Sequence, residues 1–600
     1  MKYNKISTPW KESVDTSLPL PEYPRPQMVR QEWISLNGIW TYSITSKDSK
    51  IPECFTEDIL VPFAPETELS GVMRALKPDE RLWYQRTFSL PEDWYSKRVV
   101  LHFEAVDWQC ACFVNGQLLG EHTGGYISFS FDLTEVLQKG ENEIVLSVWD
   151  PTDSHWQQVG KQVLNPDKIY YTATSGIWQT VWLEAVAIEN HILDLKLTPD
   201  PASKCLEVAV KSRVAEECNI IVFAEGQEIQ TVKGLTNQPV RLSIPNPRLW
   251  SPEDPFLYDV AVQLFDKELL IDEVKSYFGI RSVSIRKSLS GHRRIYINDS
   301  PCFLHGPLDQ GYWPESGMTP PCEEALLFDL RKIKEMGFNM VRKHVKVETR
   351  RWYYHADRLG LVVVQDMING GKNMAGDLET SLIIALGGPH KRDNTPKAYL
   401  KAGREIVESR KDFERELLEM MDHLHNHPSL MVWVPFNESW GQFDSKRIAK
   451  LMREHDPTRL IDHASGWYDQ GVGDFRSRHR YVLKLKKPPS KDKRVYFLSE
   501  YGGYSLICKN HLWDPDRDFK YKTYKSREQL EQAYRNLIRK QVIPLIPKGL
   551  GAAIYTQLSD VEIECNGLFT YDRKIQKIDS DLVHSLNEEL YAAFIKVETQ

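Results

Sequence analysis

Polar and apolar positions follow two different rhythms along this chain, and the rhythm changes near residue 283. Before that point the apolar positions come in short alternating runs. Arg98-Val-Val-Leu-His-Phe-Glu104, Ala111-Cys-Phe-Val-Asn-Gly-Gln117 and Glu143-Ile-Val-Leu-Ser-Val-Trp149 are β-branched and aromatic, and turn residues separate them. Asn115-Gly116, with alternation on both sides, reads as a two-residue hairpin turn. No amphipathic helix interrupts this stretch, so residues 1–187 are expected to form a Pro-rich extended arm (1–30) followed by a jelly-roll β-sandwich. Residues 188–282 repeat the β pattern on a smaller scale, with runs at 206–211, 219–223 and 257–264. That length suits an immunoglobulin-like β-sandwich, without the paired Cys and Trp of antibody domains.

From 283 onward strands and helices alternate. Leu326, Leu330, Ile333 and Met336 fall at helical spacing behind Glu323 and Glu324, and Gly337 supplies a stop. A strand at 338–342, a helix near 348–359 ending at Gly360 and a strand at 361–365 follow. Further apolar strands lie at 430–434, 459–462, 495–498 and 551–555. With 302–305 as the first strand and a weak one at 481–485, they make eight. Near-continuous apolar strands alternating with helices predict a parallel sheet buried on both faces, and eight of them predict a TIM (β/α)8 barrel over 283–600. The Gly-, Lys- and Pro-rich stretch 369–405 reads as a long insertion on the active face, or as a partly disordered segment.

Composition narrows the partners. Net charge is −7, and charged residues make up 26% of the chain. That gives no reason to expect nucleic acid or an anionic membrane as a partner. No apolar run is long enough to span a bilayer, and Met1 to Leu18 lack an apolar leader core. The nine Cys show no metal-type spacing; they read as reduced thiols, and the expected compartment is the cytoplasm. The 17 Trp suit a large β-rich core and, at some positions, stacking on the faces of sugar rings.

In such a barrel the chemistry sits where strands end and βα loops begin. Those positions hold His305, Arg342, His344, Asp366, Asn437, Glu438, His463, Trp467, Glu500, Tyr501 and Gln557. Asp366 with Arg342 also reads as a buried ion pair, and His305 and His344 as structural histidines. Glu438 and Glu500 are two carboxylates from separate strands converging on one pit, which is what glycoside cleavage needs.

Their flanks carry a resemblance. His427-Pro-Ser-Leu-Met-Val-Trp-Val-Pro-Phe-Asn-Glu-Ser-Trp-Gly441 resembles the acid/base signature of glycoside hydrolase family 2, and Phe497-Leu-Ser-Glu-Tyr-Gly502 resembles its nucleophile strand. Leu36-Asn-Gly-Ile-Trp40, Trp83-Tyr-Gln-Arg86, Ser175-Gly-Ile-Trp178, Leu249-Trp-Ser-Pro252 and Phe278-Gly-Ile-Arg281 extend the likeness over nearly the whole chain. The resemblance implies Glu438 as general acid/base, Glu500 as nucleophile and Asn437 as reader of the sugar 2-hydroxyl. Tyr501, Asp366, Arg342, His344 and Trp467 are then expected around the same sugar.

Departures from the family pattern shape the expectation. The Ser-His-Tyr-Pro and Glu-x-His elements of large β-galactosidases are replaced by Arg342-Lys-His-Val-Lys-Val347 and Met367-Ile-Asn-Gly-Gly371. No required metal or other cofactor is therefore expected. The Asn-x-Lys of β-glucuronidases is replaced by Glu564-Cys-Asn566, which disfavours a uronic acid, although Gly466-Trp-Tyr468 resembles the glucuronidase segment. The implied activity is a retaining exo-β-glycosidase. β-Galactosidase comes first, with α-L-arabinofuranosidase or arabinopyranosidase and β-xylosidase behind it; a non-catalytic sugar-binding protein is the alternative of another class. The expected partner is a carbohydrate substrate, and a homodimer suits the architecture.

Overall fold

The structure is a computed structural model that describes residues 6–372, 392–481, 483–488 and 492–599. Its first unit is a sandwich of a six-stranded and a four-stranded antiparallel sheet. Strand alternation drives the packing. In Arg98–Phe103 and Gln109–Val114 every second side chain is buried, so Cys110 and Cys112 both face the core. Asn115 and Gly116 adopt φ of +49° and +77°, which the tight turn between Gln109–Val114 and Gln117–Thr123 requires. All nine cysteines are free thiols.

A second sandwich of three and four antiparallel strands follows. The N-terminal arm ties it to the first. Arg25 and Arg30 both reach Glu184 of the first sandwich, at 2.7 and 3.0 Å, and Arg30 also reaches Asp272 of the second, at 2.7 Å. Burial alone would raise the Glu184 pKa, but Arg25 and its neighbours hold it well below the usual carboxylate range. Such a buried cluster specifies how the sandwiches meet rather than adding much net stability.

The third unit is an eight-stranded parallel sheet. Its strands, called 1 to 8 here, are Leu304–Asp309, Met340–Lys343, Val362–Asp366, Leu430–Val434, Leu460–Ile461, Phe475–Arg480, Val495–Gly502 and Leu550–Thr556. The spatial order is 5-4-3-2-1-8-7-6, and a bond from Asp474 N to Ile461 O (2.8 Å) links the two ends into a nearly closed barrel. Leu304, Met340, Val364, Val432, Phe497 and Ile554 fill the interior, while Val341, Val363, Trp433 and Leu498 face the surrounding helices. Double burial of these strands is the reason for their continuous apolar runs.

Two expectations change, and a third lies largely outside the described residues. Strand 1 is Leu304–Asp309 rather than 302–305; Ser300–Cys302 belongs to a small antiparallel sheet beneath the barrel. Strand 6 is Phe475–Arg480, not 481–485. It lacks an apolar run because only one face is buried, and among the described residues no helix follows strand 5 or strand 6. Within 369–405, residues 373–391 lie outside the described residues, and Pro396–Ala402 is a helix capped by Thr395.

Candidate active site

Glu500 reaches the barrel interior through an irregularity. From Phe497, which points inward, strict alternation along strand 7 would turn Glu500 outward and Tyr501 inward. The pairing register with strands 6 and 8 shifts between residues 497 and 501. This bulge reverses the outcome: Glu500 faces the pit, and Tyr501 joins the sheet–helix core. Tyr501 therefore does not line the site as expected. Its hydroxyl bonds His305 Nε2 at 2.7 Å, and His305 Nδ1 meets Asn587 at 2.8 Å on the last helix, Ser580–Thr599.

Around Glu500 the partners are dense. Arg342 Nη1 donates to Oε1 at 3.2 Å, and the Tyr481 hydroxyl donates to Oε2. His479 Nε2 lies 3.5 Å from Oε1. Arg342 itself is fully buried. It also donates through Nε to Asp366 (2.9 Å) and through Nη2 to Asn437 Oδ1 (2.9 Å). Asp366 in turn meets His344 Nδ1 at 2.7 Å. One guanidinium thus organises the ends of strands 2, 3, 4 and 7. Burial would raise the Glu500 pKa, but His479, His344, Arg342 and the Tyr481 hydroxyl bring it down to about 2. His344 is itself held neutral by burial, so Arg342 is the permanent cation facing this carboxylate.

Glu438 is held differently. It stands just past strand 4, with φ of +50° followed by +64° at Ser439, so the backbone turns sharply where the carboxylate emerges. Its amide donates to Ser465 O at 3.0 Å, fastening it to the loop after strand 5. The side chain meets His479 Nδ1 at 2.7 Å, and His479 Nε2 meets Ser465 Oγ at 3.1 Å. One ligand atom each of Glu438, His479 and Glu500 lie within 4.8 Å of one another. The three could ligate a divalent cation, although these atoms already bond one another, Arg342 and Tyr481.

The first sandwich completes the mouth. Val159 and Gly160 donate to Asn369 O at 2.7 and 2.8 Å, Thr172 N donates to Glu562 at 2.8 Å, and Tyr171 OH donates to Glu564 at 2.5 Å. Tyr170 stacks on Trp440, two residues past Glu438, with ring centres 5.1 Å apart. Lys161 is buried over the Tyr171 ring and has no carboxylate partner among the described residues. Glu564 is pushed up by burial, against the pull of Lys161 and the bonds from Tyr171 and Asn566. Trp467, on the loop after strand 5, sits 6.4 Å from His479, ring to ring. Of the residues expected at the site, Glu438, Glu500, Asn437, Arg342, Asp366, His344 and Trp467 converge there.

The sugar-binding domain of glycosyl hydrolases family 2 matches residues 72–186, the family's central domain 180–281 and its TIM barrel domain 290–584. The chain belongs to glycoside hydrolase family 2. It is 25% identical over 471 residues to a putative β-glucuronidase of Formosa agariphila, covering 71% of this chain and 51% of the relative. It is also 25% identical over 447 residues to a β-galactosidase of Thermoanaerobacter pseudethanolicus, covering 72% and 55%. The chain thus spans about half the length of these curated relatives. In fold it resembles the Ruminococcus gnavus β-glucuronidase, with a TM-score of 0.71, 17% identity, and 95% and 100% coverage.

For this family 2 member, sequence reading missed His479, Tyr481, Ser465 and Lys161. The first two follow from strand 6. Once Phe475 and Ser477 are placed inward, period-two alternation brings His479 and Tyr481 to the same side. Lys161 gave no such signal, because only domain docking brings it to the barrel mouth.

Proposed function

We propose that this chain is a retaining exo-β-glycosidase in which Glu500 is the nucleophile and Glu438 the acid/base. The observation that carries this reading is the pair of carboxylates with oxygens within 4.8 Å. Retaining glycosidases hold their carboxyls about 5–5.5 Å apart, whereas inverting ones leave room for water at about 6.5–9.5 Å. Glu500, kept ionised by Arg342 and the Tyr481 hydroxyl, attacks the anomeric carbon as Glu438 protonates the leaving oxygen. Glu438 then takes a proton from water, which hydrolyses the glycosyl-enzyme. Asn437, oriented by Arg342, faces the sugar 2-hydroxyl. His479, bonded to Glu438 and close to Glu500, holds the acid/base in register with the nucleophile. The contacts of the loop 158–172 with the barrel mouth support cleavage of terminal units rather than internal ones. Following the first-formed anomer by NMR tests the stereochemistry: a β-glycoside must release the β-anomer first, and an initial α-anomer defeats the reading.

For the sugar, a neutral β-galactoside is the first choice, with α-L-arabinosides and β-xylosides behind it. Glu564 supports this order, because an ionised carboxylate at the mouth repels a uronate and accepts bonds from neutral hydroxyls. One observation favours a β-glucuronide instead. Lys161 is a buried cation without an ion-pair partner among the described residues, and the raised Glu564 pKa lessens the repulsion. Turnover of aryl β-galactoside, β-xyloside, α-L-arabinoside and β-glucuronide separates the two. Lys161→Met abolishes only the glucuronide reaction if Lys161 reads a carboxylate.

A further inference from the structure

Strand 6 has an outer face unlike those of its neighbours. Phe475, Ser477 and His479 are buried, while Arg476, Arg478 and Arg480 alternate outward and are partly exposed. Strands 3, 4, 7 and 8 are buried along their whole length. With no described helix after strands 5 and 6, a cavity of about 1210 Å³ opens against this face. Among the described residues its wall carries ten lysines and arginines and one carboxylate, Asp492. Arg476 and Arg494 are paired with Asp469 and Asp492. Arg478, Lys486, Lys487, Lys493 and Lys548 have no carboxylate partner among the described residues. The crowding registers in Arg476, which burial, then Arg478 and Arg494, push down to about 10. A chain of net charge −7 has here concentrated positive charge in one concave slot. A concave surface of one sign focuses its field on a ligand of the other sign.

The upper end of the slot identifies the ligand class. Gly466, Trp467 and His479 line it, and His479 bonds Glu438. An occupant therefore lies on the outer side of strand 6, whose inner side carries His479 into the candidate sugar site. We propose that this slot binds the anionic groups of a sulfated or uronate-rich glycan, holding the polymer along the outer barrel wall behind strand 6. The binding part stands on the slot alone; the link to cleavage rests on the glycosidase reading above. A run of single-sign charge with few aromatics favours this over single-stranded nucleic acid, whose bases seek stacking platforms.

The test uses the full chain and fluorescently labelled dextran sulfate, with neutral dextran of equal length and a single-stranded oligonucleotide of equal charge as the other arms. Dextran sulfate is expected to bind, neutral dextran not, and affinity to fall steeply between low and moderate salt, as ion release demands. Arg478→Glu with Lys487→Glu and Lys548→Glu should weaken binding at least about tenfold, since three unpaired cations become repulsive. Turnover of a small neutral aryl glycoside should not change. The corresponding Gln variants, checked by thermal melting, guard against misfolding and should show a smaller loss of the same sign. Equal binding of both dextrans, or indifference to the substitutions, overturns the proposal; tighter binding of the oligonucleotide overturns the glycan assignment. If dextran sulfate binds as described while no aryl glycoside is turned over, the slot stands and the glycosidase reading fails.

Discussion

Glu438 and Glu500 are the same residue type in one pit, yet their surroundings differ at every point. Glu500 lies on a strand, 3% exposed, with a guanidinium, a tyrosine hydroxyl and an imidazole around its carboxylate. Glu438 lies on a loop at left-handed φ, 8% exposed, with His479 as its close side-chain partner. Donors and a buried cation favour the ionised form, so Glu500 is built to stay negative. The Glu438 carboxyl is the more exposed of the two and bonds an imidazole. Function, in the proposed reading, is divided by environment rather than by residue type.

The contrast can be broken from either side. Glu500→Ala should abolish turnover, with kcat falling on the order of 10⁴-fold or more, for every leaving group. Glu438→Gln should cost about 10²–10⁴-fold with a poor leaving group and much less with an activated aryl one. Steady-state kinetics on a leaving-group series reads both, and equal losses across the series for the two variants would remove the distinction.

Arg342→Met tests what keeps Glu500 ionised. Removing one partner of a buried network leaves Asp366 and Glu500 without their cation, so denaturant unfolding should show a loss of about 3–5 kcal/mol. The sign with pH follows from the depressed Glu500 pKa. The stabilisation from this group is fully present above its unfolded value, about 4.3, and is lost as pH falls toward 2. In the variant the folded value rises, so the acid limb of kcat/KM should move up by about a unit or more. An unmoved acid limb would mean that Arg342 only supports the barrel top.

His479→Asn should lower kcat/KM about 10- to 100-fold for poor leaving groups, with a changed pH profile, because it unties Glu438 from its imidazole. The smallest effect sharpens the comparison most. Tyr481→Phe should reduce kcat about tenfold with little change in melting temperature, since its hydroxyl touches Glu500. Tyr501→Phe should leave kcat unchanged and cost about 1–3 kcal/mol through the unpaired His305 ring. The reverse pattern would contradict the direction in which strand 7 turns its side chains.

That tyrosine pair shows where legibility in the sequence stopped. Alternation and helical spacing were enough for two sandwiches and a barrel, because strand and helix periods are set by local backbone geometry. They failed at strand 6, where an outer face that no described helix covers carries Arg476, Arg478 and Arg480 in place of apolar residues. They failed again at Tyr501, because one bulge reverses the faces of every residue beyond it.

The sequence by itself determined the family, through His-Pro-Ser…Asn-Glu-Ser and Ser-Glu-Tyr-Gly, and placed both carboxylates at strand ends. Tertiary structure alone decided which side chains share their pit. Tyr481 reaches Glu500 from 19 residues away along the chain, and the first sandwich's Tyr171 meets Glu564 at the mouth across 393 residues. Such contacts depend on strand register, barrel closure and domain docking, none of which a local pattern of polar and apolar positions encodes.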